Sequence, residues 1–177
     1  VTQLAHEPDA EGRSALAEAL APTQDPQVIE PLISLLNDPS MSVAEVAAEG
    51  LQDMGPVILQ KHATEERTAR ALRETLNARA GSSGSGALRA ALIAAMGALK
   101  DPNLREVYLH ALRPNEPVAV RKAALAALGN LQQPWAADII LNSLDDDNDE
   151  IRLAAVNALQ STANFTHAER LYALLET

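Results

Sequence analysis

VRKAALAALGNL (Val120–Leu131) and IRLAAVNALQST (Ile151–Thr162) are two versions of one twelve-residue pattern. Three more lie upstream and align without gaps: GRSALAEALAPT (Gly12–Thr23), VAEVAAEGLQDM (Val43–Met54) and LRAALIAAMGAL (Leu88–Leu99). The second column holds Arg13, Ala44, Arg89, Arg121 and Arg152, and the ninth Leu20, Leu51, Met96, Leu128 and Leu159. The eighth column holds only Ala or Gly. In the fourth version Val120, Ala124, Ala127, Leu128 and Leu131 recur at helical spacing, which makes one stripe of the helix apolar. Successive versions start 31, 45, 32 and 31 residues apart, a period that signals stacked helical repeats.

Between them lie the expected partner helices: VIEPLISLL (Val28–Leu36), LREVYLHAL (Leu104–Leu112) and AADIILNSL (Ala136–Leu144). Asp25-Pro26, Asp101-Pro102 and Gln133-Pro134 mark their starts, a polar cap followed by proline. Pro31 falls inside the first of them and is expected to bend it. Gly50 inside a helix costs about 1 kcal/mol against Ala, and a closely approaching neighbour helix would explain it. Residues 56–80 carry the extra length, read as a lengthened or doubled first helix from near Thr64, and GSSGSG (Gly81–Gly86) reads as a flexible link. A helix pair of this size cannot bury its stripe alone, so at least three must stack into a solenoid.

Composition agrees. Aromatic residues make up 2% of the chain and Ala and Leu dominate, which favours closely packed helices over strands. The net charge of −10 opposes binding to nucleic acid, whose phosphates require clustered Lys and Arg, and disfavours anionic membranes. No apolar run reaches the roughly 20 residues a membrane helix needs. The absence of cysteine removes disulfides and thiolate chemistry and fits cytoplasm or periplasm, the cytoplasm being favoured. A start at Val1 in place of Met, with Val1–His6 like the tail of a helix, is read as a piece of a longer protein. His167–Glu176 reads as a final half-repeat.

NEPVAVRKAALAALGNL and DDDNDEIRLAAVNAL resemble the HEAT family, in particular the short bacterial repeats of phycobilisome-lyase type. The resemblance spans most of the chain and is strongest from Asp101 onward. It implies an all-α, right-handed superhelix of about five helical hairpins within a single domain over residues 1–177, with repeat boundaries near 24, 55, 100, 132 and 163 and an insertion at 56–86. It also implies that second helices line the concave face and that a ladder of Arg and acidic residues joins the repeats. The ladder would use Arg13, Arg89, Arg121 and Arg152 with Asp38, Glu116 and Asp147, each Arg meeting an acid in the preceding turn. Ala44 breaks it, and the Gly/Ser link before Arg89 offers no acid.

The third, sixth, seventh and tenth columns lie opposite the buried stripe. Glu45, Glu49, Gln52, Ile93, Lys122, Leu125, Leu153, Val156 and Asn157 are therefore the candidate partner-binding residues, acidic toward the N-terminus and apolar toward the C-terminus. Ile93, Leu125, Leu153 and Val156 are expected to face solvent where an amphipathic partner helix could lie. The competing reading has neighbouring second helices cover them. The DDDND run (Asp145–Asp149) lacks the Gly and Glu of a calcium loop and reads as a capped inter-helix turn. His6, His62, His110 and His167 share no metal-ligand spacing, and Trp135 at a helix start is expected to pack on the preceding repeat. Residues 56–86 are a second-choice contact region.

The expected function is a non-catalytic scaffold or adaptor that binds protein or peptide, with no catalytic residue, metal or cofactor assigned. The resemblance leaves open a chromophore-lyase-type enzyme subunit, a nucleic-acid binder, which the charge opposes, and a structural spacer within a larger protein.

Overall fold

The computed structural model describes residues 9–79, 86–100, 104–131 and 133–162. Val1–His6, Asp101-Pro102, His167–Glu176 and most of the Gly/Ser link, all read above, lie outside them. Ten helices run in chain order through the described residues: α1 (Ala10–Leu20), α2 (Ile29–Leu35), α3 (Met41–Asp53), α4 (Gly55–Ile58), α5 (His62–Arg79), α6 (Gly86–Ala98), α7 (Arg105–Ala111), α8 (Val118–Leu131), α9 (Pro134–Asn142) and α10 (Asp149–Ser161). The five repeated stretches form α1, α3, α6, α8 and α10, which pack on one another in that order as one layer. α2, α5, α7 and α9 each pack against the second helix that follows. The architecture is an all-helical repeat array.

Alanine and glycine set the spacing of the second-helix layer. A Cβ on Gly97 would stand 2.5 Å from the Ala127 Cβ, and one on Gly129 would stand 2.9 Å from the Ala158 carbonyl oxygen. The tenth column of one helix thus lies against the eighth column of the next, backbone nearly on backbone. Gly50 is closed in from both sides, its missing Cβ 3.2 Å from Ala21 Cβ and from Leu32 Cδ1. The core then runs continuously between the layers, from Leu32, Leu36 and Leu51 through Leu72, Leu92 and Met96 to Tyr108, Leu128, Ile140 and Ile151. No single hairpin owns this core, which is why the repeats hold only as a stack.

The joint between α3 and α6 differs. Gln52 occupies the tenth column there and is exposed. The close approach shifts to Gly55, whose missing Cβ would lie 3.1 Å from Ala98 Cβ. The longer repeat resolves into the single turn α4 and the 18-residue α5, which starts at His62, two residues before the expected Thr64. Pro31 does not fall in the middle of a long helix. The chain enters through a 3₁₀ turn, Pro26–Val28, and Pro31 is the third residue of the α-helix, where its missing N–H interrupts no hydrogen bond. Asp25 caps that entry, its Oδ1 accepting from the Gln27 amide at 2.9 Å.

Candidate functional site

The described ion pairs fix how each hairpin meets the next. Arg13 grips Asp38 with two bonds, Nε to Oδ2 at 2.7 Å and a second guanidinium nitrogen to Oδ1 at 3.0 Å. Arg89 reaches Glu116 at 2.6 Å, and Arg121 holds Asp146 in the same two-pronged manner. Each arginine therefore reaches the turn of the following hairpin, not the preceding turn expected from sequence. The acid of the last rung is Asp146, not Asp147. Asp146 also accepts from the Asn148 amide at 3.0 Å and so closes the turn it stands in, while Asp147 points outward and is exposed. The hydrogen bond from Arg121 holds the Asp146 carboxyl below the usual carboxylate range, ahead of the opposing effect of its burial. Forward pairing also explains the gap. Ala44 lacks the arginine and the 80–85 segment lacks an acid, and both absences fall on one rung, the shifted α3–α6 joint.

Arg152, the last of the column, bonds the Asp146 carbonyl at 2.7 Å and pairs with Asp149 on its own helix. Asn148 caps that helix, its Oδ1 accepting from the Glu150 amide at 2.8 Å, so the DDDND run is a capped turn. Among the described residues no group of three His, Cys, Asp or Glu side chains is placed to hold a metal ion. His110 lies 3.3 Å from an Arg113 guanidinium nitrogen; His6, His167 and the His62 side chain lie outside the description. Trp135 is half-buried on α9, with the Arg105 guanidinium of the preceding hairpin 5.8 Å from its ring centre, as packing on the previous repeat requires.

The face of the second helices away from α2, α5, α7 and α9 is narrower than expected. Ile93 and Leu125 are 1% and 0% exposed, so the expectation that they face solvent is wrong. Both stand in the sixth column, one turn beyond the ladder arginine. That column turns toward the following hairpin, as Ile93 shows by sharing a cavity wall with Val107 and Ala111 of α7. Only the last member, Val156, is open in that column, at 42%, with Leu153 at 62% beside it. The exposed face consists instead of the third and seventh columns with their neighbours.

At its N-terminal end this face is acidic. Glu18, Glu49, Gln52 and Asp53 are exposed and Glu45 half-buried on α1 and α3. Partial burial raises the Glu49 carboxyl above its ordinary pKa, and the nearby charges of Glu45, Asp53 and Glu18 add to the rise. At the other end a groove of about 480 Å³ runs between α8 and α10, lined by Lys122, Ala123, Ala126, Asn130, Ala154, Asn157, Ala158 and Ser161. Lys122 stands at its rim, its Nζ 3.0 Å from Glu150 Oε2. The structure thus places Glu45, Glu49, Gln52, Lys122 and Asn157 on one face and removes Ile93 and Leu125 from it. Asn130 and Ser161 were missed. They sit one turn beyond Ala126 and Asn157, at a spacing of four that the column alignment could have extended.

A family model described as HEAT repeats matches residues 1–82 and 74–160. No curated protein matches the chain. Among solved structures the chain is similar to human deoxyhypusine hydroxylase in complex with glycerol, at 20% identity and a TM-score of 0.49, over 85% of this chain and 67% of that one. A likeness so slight carries no argument about activity.

Proposed function

We propose, from the premise that the chain belongs to the HEAT repeat family, that it is a non-catalytic scaffold gripping a protein partner on the exposed face of α1, α3, α8 and α10. The carrying observation is the make-up of that face: a carboxylate-rich ridge on α1 and α3 continuing into an Ala-floored, Asn-edged groove between α8 and α10. Such a surface suits a polypeptide that brings Lys or Arg to the ridge and small or amide-bearing side chains to the groove. Charge complementarity of this kind sets orientation and encounter rate more than raw affinity. The raised Glu49 pKa adds a motive, because a cation there relieves repulsion the free protein carries.

The test uses a photo-crosslinking amino acid placed in the intact chain at Gln52, Ala126 or Asn157, with Glu66 and Asp138 on the opposite layer as controls. A common crosslinked partner from the first three sites and none from the controls is the expected result. Crosslinks from Glu66 or Asp138 alone would move the binding surface to the other layer and end this reading.

A further inference from the structure

We infer that the cleft between α5 and α7 is a binding site for a free apolar α-amino acid, held by both its ammonium and its carboxylate. The inference concerns the outer layer of helices and does not depend on the open face of the second helices.

α5 packs on α6 and α7 packs on α8, which leaves a cleft of about 390 Å³ between the two outer helices, with α6 contributing to its wall. That volume falls within the range of about 300–1,000 Å³ typical of small-molecule sites. Every residue of the wall is described. The stretches that adjoin these helices outside the description, 80–85 and 101–103, consist of Ala, Gly, Ser, Asp, Pro and Asn. They bring no large apolar side chain with which to fill the space.

The wall has two halves. Leu76 and Val107 are half-buried and, with Ile93 and Ala111, form an apolar lining suited to a branched aliphatic side chain. The polar half holds Arg89, Glu116, Glu106 and Asn77. Here the ladder rung is incomplete. Arg13 and Arg121 hold their acids with two bonds, but Arg89 meets Glu116 at one point, 2.6 Å from Oε2 and out of line for a hydrogen bond. Arg89 Nε and Glu116 Oε2 are thus buried without a hydrogen-bond partner. Arg121 Nε is in the same state but takes no part in this wall.

Buried polar atoms are nearly always satisfied, so this pair calls for a ligand with a donor for the acid and an acceptor for the arginine. Glu106 and Asn77 are exposed and have no partner among the described residues. They add a second carboxylate for a cation and an amide N–H for an anion. An α-amino acid carries ammonium, carboxylate and side chain on one carbon, so all three can be met at once. A lone amine or a lone carboxylate would satisfy one of the two buried atoms and leave the other stranded.

Isothermal titration calorimetry of the full chain with L-leucine, 4-methylpentanoate and 3-methylbutylamine tests this. The last two are leucine without its ammonium and without its carboxylate. Leucine is expected to bind, and each analogue to bind at least about tenfold more weakly. Val107→Trp, which fills the cleft, should abolish binding. Glu106→Gln, an exposed change that leaves the helical circular dichroism spectrum as it was, should weaken it by about tenfold. No heat from leucine at millimolar concentration overturns the inference. So does a single-charge analogue that binds as well as leucine, or leucine binding unchanged in both variants, which would place the site elsewhere.

Discussion

At the scale of single residues, glycine does what no other side chain could. The Cβ of Gly97→Ala would stand 2.5 Å from Ala127 Cβ and 2.7 Å from its Cα, so two helices would have to move apart. Overpacking of this kind costs about 1–3 kcal/mol, and a urea melt of Gly97→Ala should lose stability near the top of that range. Gly86→Ala, whose new Cβ meets only Pro117 at 3.6 Å, should be neutral or slightly stabilising. Gly50 announced itself in the sequence, because a glycine inside an amphipathic pattern needs a close neighbour to justify it. Ile93 and Leu125 did not. A helical wheel places them opposite the stripe, and only the following hairpin, which a wheel does not contain, decides that they are buried. Asp146 and Asp147 are equally plausible by composition. The five-residue interval from acid to helix pattern, shared by Asp38 with Val43 and Asp146 with Ile151, separates them in hindsight.

At the scale of the element, each ladder rung is one ion pair that sets the register of two hairpins. The Arg121 and Asp146 side chains are 7% and 17% exposed, so removing the acid strands a nearly buried guanidinium. Asp146→Asn should cost about 3 kcal/mol at pH 7. Replacing both partners together, Arg121→Met with Asp146→Leu, should cost less than the single change, because no charge is then left uncompensated. The pH dependence has a fixed sign. The Asp146 pKa is lowered in the folded protein, so its contribution is fully present above its unfolded pKa, near 3.9. That contribution is lost as pH falls through the folded value. The stability gap between the parent chain and Asp146→Asn should therefore hold from about pH 7 to pH 5 and close below about pH 4 in denaturant melts. Sequence spacing identified the arginines readily. The direction in which they reach depends on how one hairpin leans on the next, a tertiary fact that no local pattern encodes.

At the scale of the whole molecule, the array and its layer of second helices were legible because the repeat is written five times. The open face was legible only in part, since curvature and register decide which columns stay wet. Glu49 shows how that face bears on the rest of the molecule. Its pKa is raised in the folded state, so the ionised carboxylate opposes folding above that value and the penalty fades as pH falls through it. Glu49→Gln should raise the unfolding midpoint slightly at pH 7, and the advantage should vanish in acid. The same variant should bind a cationic partner less well. The chain contains no cysteine, so single cysteines can report the face directly. The decisive measurement is the rate at which a thiol reagent labels cysteines placed one at a time at Glu49, Ala126 and Asn157, with Ala48 and Leu125 for comparison. The first three should label as fast as an unfolded chain and the last two slower by orders of magnitude. Slow labelling at Ala126 and Asn157 would mean that the face is covered by the molecule itself and holds no partner.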